Sequence, residues 1–222
     1  MRVHVSLIPC IAALAVLAAL PPRAFSEEPP LTPTPEGMAQ AIRDGESESK
    51  EYVREAASQP DSGAIAILSA AVEPGVKADI RKAAIDVTLK HRPGVADKVL
   101  GQVMKSGDPA DKSLVIKGAD KLDEQVQFNV LKAALEDRTT KVREEAVDTI
   151  LKLRSPGNKV RLMVEAAKTP ERQLKIKILT EAEKMDRQAA YNVAHTFQSD
   201  RDGAIQDLVK RIKDKHDLHG KK

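Results

Sequence analysis

Apolar residues between positions 38 and 213 recur at the three- and four-residue spacing of amphipathic helices, and no stretch sustains the alternation of strands. Short breaks rich in Pro, Gly and Asp interrupt this pattern at regular intervals. Two breaks, at Asp108 and Thr169, place a capping side chain directly before a proline, which is typical of helix starts. The intervening helices span about three to four turns. The sequence therefore predicts an all-α domain of short helices over residues 38–213.

The predicted helices repeat along the chain. Residues 80–89, IRKAAIDVTL, align with residues 142–151, VREEAVDTIL, at an offset of 62 residues. A looser copy lies midway, at residues 115–122, so the repeating unit is about 31 residues long and holds a helix pair. Units of this size stack into solenoids, because no single pair can bury its apolar face alone. A small residue in the second helix of each unit is expected to allow close approach to the neighbouring unit. These residues are Ala84, Ala119 and Ala146.

Residues 131–151 resemble one repeat of the HEAT family. The matching positions are Leu135, Asp137, Val142, Arg143, Ala146 and Leu151. In that family an Asp in the turn commonly pairs with an Arg that opens the second helix, so the resemblance implies that Asp137 and Arg143 tie adjacent units together. It also implies a right-handed, all-α solenoid of about five antiparallel helix pairs. Arg81 fits the same place in its own unit, but no Asp precedes it at the matching distance. An ordinary helical bundle is the alternative.

The two ends of the chain differ from this helical region. Arg2 precedes an apolar run that ends at Leu20, and small residues up to Ser26 resemble a cleavage site, so residues 1–26 are predicted to be a signal peptide. An uncleaved membrane anchor is the alternative, because the run is only a little shorter than a membrane span. Residues 27–37 contain four prolines and predict a spacer, and residues 214–222 predict a basic, flexible tail. The expected location is periplasmic or secreted.

Composition and charge disfavour an all-β fold and a nucleic-acid partner. Only 2% of the residues are aromatic and none is Trp, which disfavours a β-sandwich or barrel. Removal of residues 1–26 takes away the one cysteine, Cys10, and leaves 34 basic and 33 acidic residues, a net charge near zero. Neither this charge nor the four remaining aromatic residues suits a nucleic-acid surface. Charge is uneven, however, since residues 27–60 hold eight acids and three bases, whereas residues 209–222 hold six bases and two acids.

No motif predicts a catalytic, cofactor or metal site. The Asp-Arg-Asp-Gly segment at residues 200–203 resembles part of a calcium loop, but two of the required ligands are missing and a helix cap explains it better. His216 and His219 share a helical spacing without a third ligand. His195 lies between Tyr191 and Phe197, and this is the one place where a pocket with polar groups is expected.

These features predict an exported, HEAT-like scaffold or adaptor that binds another protein in the cell envelope and is not an enzyme. By the resemblance, binding is expected on the concave face formed by the second helices. The candidate binding residues there are Arg81, Lys82, Lys117, Arg143, Glu144 and Lys177. One alternative is a lyase or chaperone-type enzyme, as some pigment-attaching HEAT-like proteins are, with a pocket near His195 and Tyr191. The other is a structural periplasmic spacer.

Overall fold

The computed structural model describes residues 33–218. The predicted signal peptide, most of the predicted spacer and His219 lie outside the described residues. Two predicted boundaries differ from the structure. The first helix begins at Pro35, inside the predicted spacer, because Thr34 Oγ1 accepts a hydrogen bond from Gly37 N and caps it. The last helix continues to Lys215, two residues into the predicted tail.

Residues 33–218 form twelve α-helices and no strand, which confirms the all-α prediction. The helices are α1 (Pro35–Asp44), α2 (Ser49–Glu55), α3 (Asp61–Ala71), α4 (Ala78–Thr88), α5 (Pro93–Ser106), α6 (Pro109–Gly118), α7 (Glu124–Leu135), α8 (Thr140–Ile150), α9 (Pro156–Ala166), α10 (Arg172–Ala182), α11 (Arg187–Thr196) and α12 (Gly203–Lys215). Two single 3₁₀ turns, at Ala56–Ser58 and Ala119–Lys121, follow α2 and α6.

The helices pack in an order that follows the repeat. Each odd-numbered helix contacts the next odd-numbered one, from α1 to α11, and each even-numbered helix contacts the next even-numbered one, from α2 to α12. Consecutive helices also contact each other, so there are six helix pairs in residues 33–218 rather than about five. From α4 onward, the even-numbered helices begin 31 or 32 residues apart, at Ala78, Pro109, Thr140, Arg172 and Gly203.

Side-chain caps explain where several helices start. Asp108 is the N-cap of α6 and accepts hydrogen bonds from the backbone N–H groups of Ala110 and Asp111, as the Asp-Pro pattern predicts. The corresponding prediction for Thr169 is wrong, because α10 begins at Arg172 after the N-cap Glu171. The hydroxyl of Thr169 instead donates to the carbonyl oxygen of Ala166 and closes the end of α9.

The core is built from aliphatic side chains of both rows of helices. Ala84 and Ala146 are fully buried within α4 and α8, as expected for positions where neighbouring helices come close. The prediction that Ala119 lies in the second helix of its unit is wrong. Ala119 is buried but lies in the 3₁₀ turn after α6, and Val115 is the α6 residue equivalent to Ala84. Among the aromatic residues of positions 33–218, only Phe197 is buried in this core. Small and branched side chains fill the space between short stacked helices at close-packed density, which accounts for the low aromatic content of the chain.

Gly118, at the end of α6, marks a close approach to the end of α4. A Cβ atom at this position would meet the side chain of Leu89, whose Cγ would be 3.1 Å away, and Leu89 is itself buried. We therefore expect Gly118→Ala to lower the free energy of unfolding by about 1–2 kcal/mol through overpacking. Gly101, within α5, has open space around it. Gly101→Ala is the matched control and should raise stability by about 0.5–1 kcal/mol, as glycine removal from a helix does. Urea unfolding of both variants measures the difference, and equal stability changes would contradict the close approach.

Candidate interaction surfaces

A row of ion pairs runs along the first turns of the even-numbered helices. The fourth residue of α4, α6, α8 and α10 is in each case a cation, and each cation reaches an acid in the following unit. The pairs are Arg81 with Asp108 and Asp111, Lys112 with Asp137, Arg143 with Glu171, and Lys175 with Asp200. The equivalent residue of α12, Gln206, donates from its amide to the carbonyl oxygens of Phe197 and Asp200. We call these four cations and their five partner acids the inter-unit row.

The contact expected between Asp137 and Arg143 takes a different form from the predicted carboxylate pair. The guanidinium of Arg143 donates to the backbone carbonyl of Asp137, while its charge partner is Glu171 in the next unit. The carboxylate of Asp137 pairs with Lys112 of the preceding unit at 2.6 Å. Arg81 makes the same turn contact, to the carbonyl oxygen of Val76. A backbone carbonyl is present at every residue, which explains why Arg81 needs no Asp in its turn.

The pKa values in the inter-unit row follow from these contacts. Burial raises the pKa of Asp137, but the hydrogen bonds from Lys112 and from the backbone N–H of Thr139 outweigh it and hold that pKa below the ordinary value. A hydrogen bond from Arg143 lowers the pKa of Glu171 against the opposing effect of burial. The hydrogen bond from Lys175 lowers the pKa of Asp200 in the same way. These carboxylates are therefore ionised at neutral pH, and the row is a fixed structural element.

The six candidate binding residues differ in exposure and in pairing. Arg81 and Arg143 are only 15% and 13% exposed, and both belong to the inter-unit row. Lys177 is exposed but pairs with Asp148 of the adjacent even-numbered helix at 2.9 Å. The remaining three candidates are exposed on α4, α6 and α8. They are Lys82, Lys117 and Glu144.

The odd-numbered helices carry a groove that the predicted binding surface did not include. The groove is shallow and open, has a volume of about 580 Å³, and crosses α7, α9 and α11. Phe128 of α7, Val160 and Val164 of α9, and Tyr191 and His195 of α11 line it. Tyr191 is 40% exposed and is the one large hydrophobic residue classed as exposed in residues 33–218. The expected pocket beside His195 therefore exists, as an open groove on this row of helices.

The groove has few polar side chains, and only some of them form ion pairs. The guanidinium of Arg161 stacks on the ring of Phe128, with its Cζ 4.1 Å from the ring centroid. Arg161 forms no ion pair with any acid of residues 33–218, although Glu165 of the same helix pairs with Lys168. The rings of Tyr191 and His195 lie 5.6 Å apart at a tilt of 48°. The groove thus combines apolar and aromatic walls with one cation that has no carboxylate partner in the described part of the chain.

The calcium-like segment at residues 200–203 and His216 make contacts that stabilise the fold. Asp202 caps α12 by accepting from Ala204 N and Ile205 N, while Asp200 pairs with Lys175, so the calcium-like segment serves a helix start. His216 Nε2 lies 3.3 Å from the carbonyl oxygen of Glu183. Within residues 33–218, no group of three or more His, Cys, Asp and Glu side chains is placed to hold a metal ion. No helix of that region is long and apolar enough to cross a membrane.

No family model matches the chain, and no curated protein or solved structure is significantly similar to it. Only the residues of this chain therefore bear on its function. Two features of the described region are relevant. One is the inter-unit row, whose charges are paired within the chain. The other is the groove on α7, α9 and α11, where Tyr191 is exposed and Arg161 forms no ion pair with any acid of residues 33–218.

Proposed function

We propose that the protein is an exported, HEAT-like scaffold that binds another protein in the cell envelope. The signal-like pattern of residues 1–26 supports export. The resemblance of residues 131–151 to a HEAT repeat supports the family. From α4 onward the even-numbered helices recur every 31 or 32 residues, and a constant spacing on this scale is typical of helical repeats. Contacts of each helix with the next one and with the second next one support a solenoid arrangement, and the resemblance implies that it is right-handed.

The observation that carries this proposal is the exposure of Tyr191 in the groove. Tyr and Arg are the residues that most often dominate binding at protein interfaces, because they offer a large contact area together with polar groups. Tyr191 and Arg161 both line the same groove, in a domain whose other large apolar side chains are at least partly buried. We therefore place the binding surface on the odd-numbered helices, in addition to the exposed candidates Lys82, Lys117 and Glu144.

A second candidate function is a lyase or chaperone-type enzyme that uses the same groove. The observation in its favour is that His195 and Tyr191 lie one helical turn apart and both face the groove. A general base needs a group that orients it, usually a carboxylate. Within residues 33–218, no side-chain carboxylate is hydrogen-bonded to His195, which makes binding the better supported of the two functions.

Site-specific photocrosslinking in the native envelope tests the scaffold proposal. The full-length chain would carry p-benzoylphenylalanine in place of Asn192, which lines the groove, or in place of Lys82, the exposed candidate on α4, for comparison with the even-numbered helices. We expect a single crosslinked protein from position 192, and at least a tenfold weaker crosslink when Tyr191→Ser is added, since loss of an anchor residue costs about 1.4 kcal/mol or more.

The outcomes separate the candidate functions. A crosslink from position 82 but not from position 192 would keep a scaffold and move its surface to the even-numbered helices. The absence of any crosslinked protein at native abundance from both positions would contradict the scaffold and favour the structural spacer. Circular dichroism of each variant verifies that the helical content is unchanged.

A further inference from the structure

The side chains of the groove indicate which chemical groups of a partner protein it can bind. Arg161 lies over the face of Phe128, an arrangement that holds the guanidinium in place while its outer N–H groups remain available. Within residues 33–218 its one side-chain hydrogen bond, to Asn158 Oδ1 at 3.5 Å, is long, and most of its five donors have no partner there. A planar guanidinium held in this way matches a carboxylate in geometry and in charge.

The charges around Arg161 do not cancel its own. Glu165 lines the same groove, but the ammonium of Lys168 sits 2.6 Å from its carboxylate and neutralises it. The pKa of Glu165 is lowered, chiefly by this hydrogen bond, so the pair persists at neutral pH. The other polar residues of the groove are Asn192 and His195. The groove therefore presents a net positive charge to whatever occupies it.

The dimensions of the groove favour an extended peptide. It crosses three successive odd-numbered helices, α7, α9 and α11, whose axes are expected to be about 8–10 Å apart, so its length is roughly 20 Å. An extended chain covers this length with about six residues. The walls are formed by aliphatic and aromatic side chains, Val160 and Val164 with Phe128 and Tyr191, which suit apolar side chains and the rings of proline.

We propose that this groove binds an extended segment of the partner in which a carboxylate side chain is flanked by Leu, Val or Pro residues. The carboxylate pairs with Arg161, and the flanking apolar residues cover Tyr191, Val160 and Val164. This inference rests on the proposed scaffold function and names the part of the partner that the groove recognises.

Four peptide pools test the inference with the full domain. Each pool consists of peptides with one central position that is either Glu or Gln, while the other positions are drawn either from Leu, Val and Pro or from Ser, Gly and Thr. Binding is measured by fluorescence anisotropy at up to millimolar peptide. We expect the Glu pool with apolar flanks to bind about tenfold more tightly than the Gln pool with the same flanks, as a charge-assisted bidentate hydrogen bond provides.

Single substitutions test separately the pairing of the carboxylate with Arg161 and the apolar contacts with Tyr191. Arg161→Gln should abolish the preference for Glu and leave the preference for apolar flanks. Tyr191→Ser should weaken both apolar pools by a similar factor, about fivefold, and leave the preference for Glu. Lys141→Gln, at an exposed position of α8 outside the candidate binding residues, is the matched control and should change neither preference. All three positions are exposed on the surface of helices, so the variants are expected to fold.

Three results would overturn the inference. These are a Glu preference that survives Arg161→Gln, equal binding of the apolar and Ser-Gly-Thr pools, and a lack of binding by every pool at millimolar concentration. The proposed function is judged separately. A crosslinked partner from position 192 together with no Glu preference would leave the scaffold standing and reject the acidic segment, whereas failure of both experiments would reject both proposals.

Discussion

Replacement of Arg143 by Met is expected to lower the free energy of unfolding by about 2–3 kcal/mol. Arg143 is 13% exposed and holds three groups at once: the carboxylate of Glu171, the backbone carbonyl of Asp137 and the hydroxyl of Thr140. Its removal leaves the carboxylate of Glu171, only 20% exposed, without a counter-charge. An unpaired charge in a largely buried position is costly, and more so than the loss of the attraction itself.

A matched control comes from an exposed pair between the same two helices, α8 and α10. Lys177 and Asp148 are each 49% exposed, so Lys177→Met is expected to change stability by no more than about 0.5 kcal/mol. The double variant with Arg143→Met and Glu171→Leu should recover much of the loss, because both charges are then absent. Urea unfolding measures all three variants. A single Arg143 variant as stable as the Lys177 variant would show that the inter-unit row contributes little.

Acidification is expected to lower the melting temperature by about 10 °C between pH 6 and pH 3. Four largely buried carboxylates that form ion pairs have lowered pKa values, each through a hydrogen bond from the partner cation and against burial. They are Asp137, Glu171, Glu181 and Asp200. A lowered pKa in the folded state stabilises the fold above the unfolded-state pKa, near 4, and that contribution is lost as the pH falls through the folded-state values. At about 1 kcal/mol for each pair and about 2–4 °C for each kcal/mol, the total approaches 10 °C.

One pair can be removed to test this assignment. The variant with Lys112→Gln and Asp137→Asn keeps hydrogen-bonding groups but has no charge to titrate at that pair. Its stability should therefore depend less steeply on pH between 5 and 3 than that of the original protein, by the contribution of one carboxylate. Calorimetric melting curves at successive pH values measure both proteins. Equal slopes would contradict the claim that Asp137 is among the carboxylates responsible.

The local features of the fold were predictable because they depend on neighbouring residues. Helical spacing predicted the elements between residues 38 and 213, and Asp108 predicted the start of α6, since a side-chain cap acts within three residues of its own position. The small residues Ala84 and Ala146 indicated where helices come close, and both are fully buried. Thr169 was misleading, because a hydroxyl can bond to a preceding carbonyl as readily as to a following N–H.

Contacts between units were predictable only in part. The sequence indicated that Arg143 joins adjacent units but assigned its charge to Asp137, 6 residues before it, whereas the charge partner is Glu171, 28 residues after it. Similarly, the spacing of Tyr191 and His195 indicated a pocket, but nothing indicated Phe128 and Arg161 as its other walls. Those residues come from α7 and α9, and only the stacking of these helices next to α11 brings them to the same groove.

The sequence by itself determined the helical class, the 31-residue repeat and the small residues at the close contacts, because periodicity and capping act over a few residues. Only the tertiary structure decided which acid each cation of the inter-unit row pairs with. It also decided which apolar side chains remain exposed. Both depend on how one unit sits on the next, since a side chain selects its partner by distance and burial in space. For this reason Arg81 and Arg143, chosen from sequence as binding residues, are committed to the fold, while Arg161 and Tyr191 face the groove.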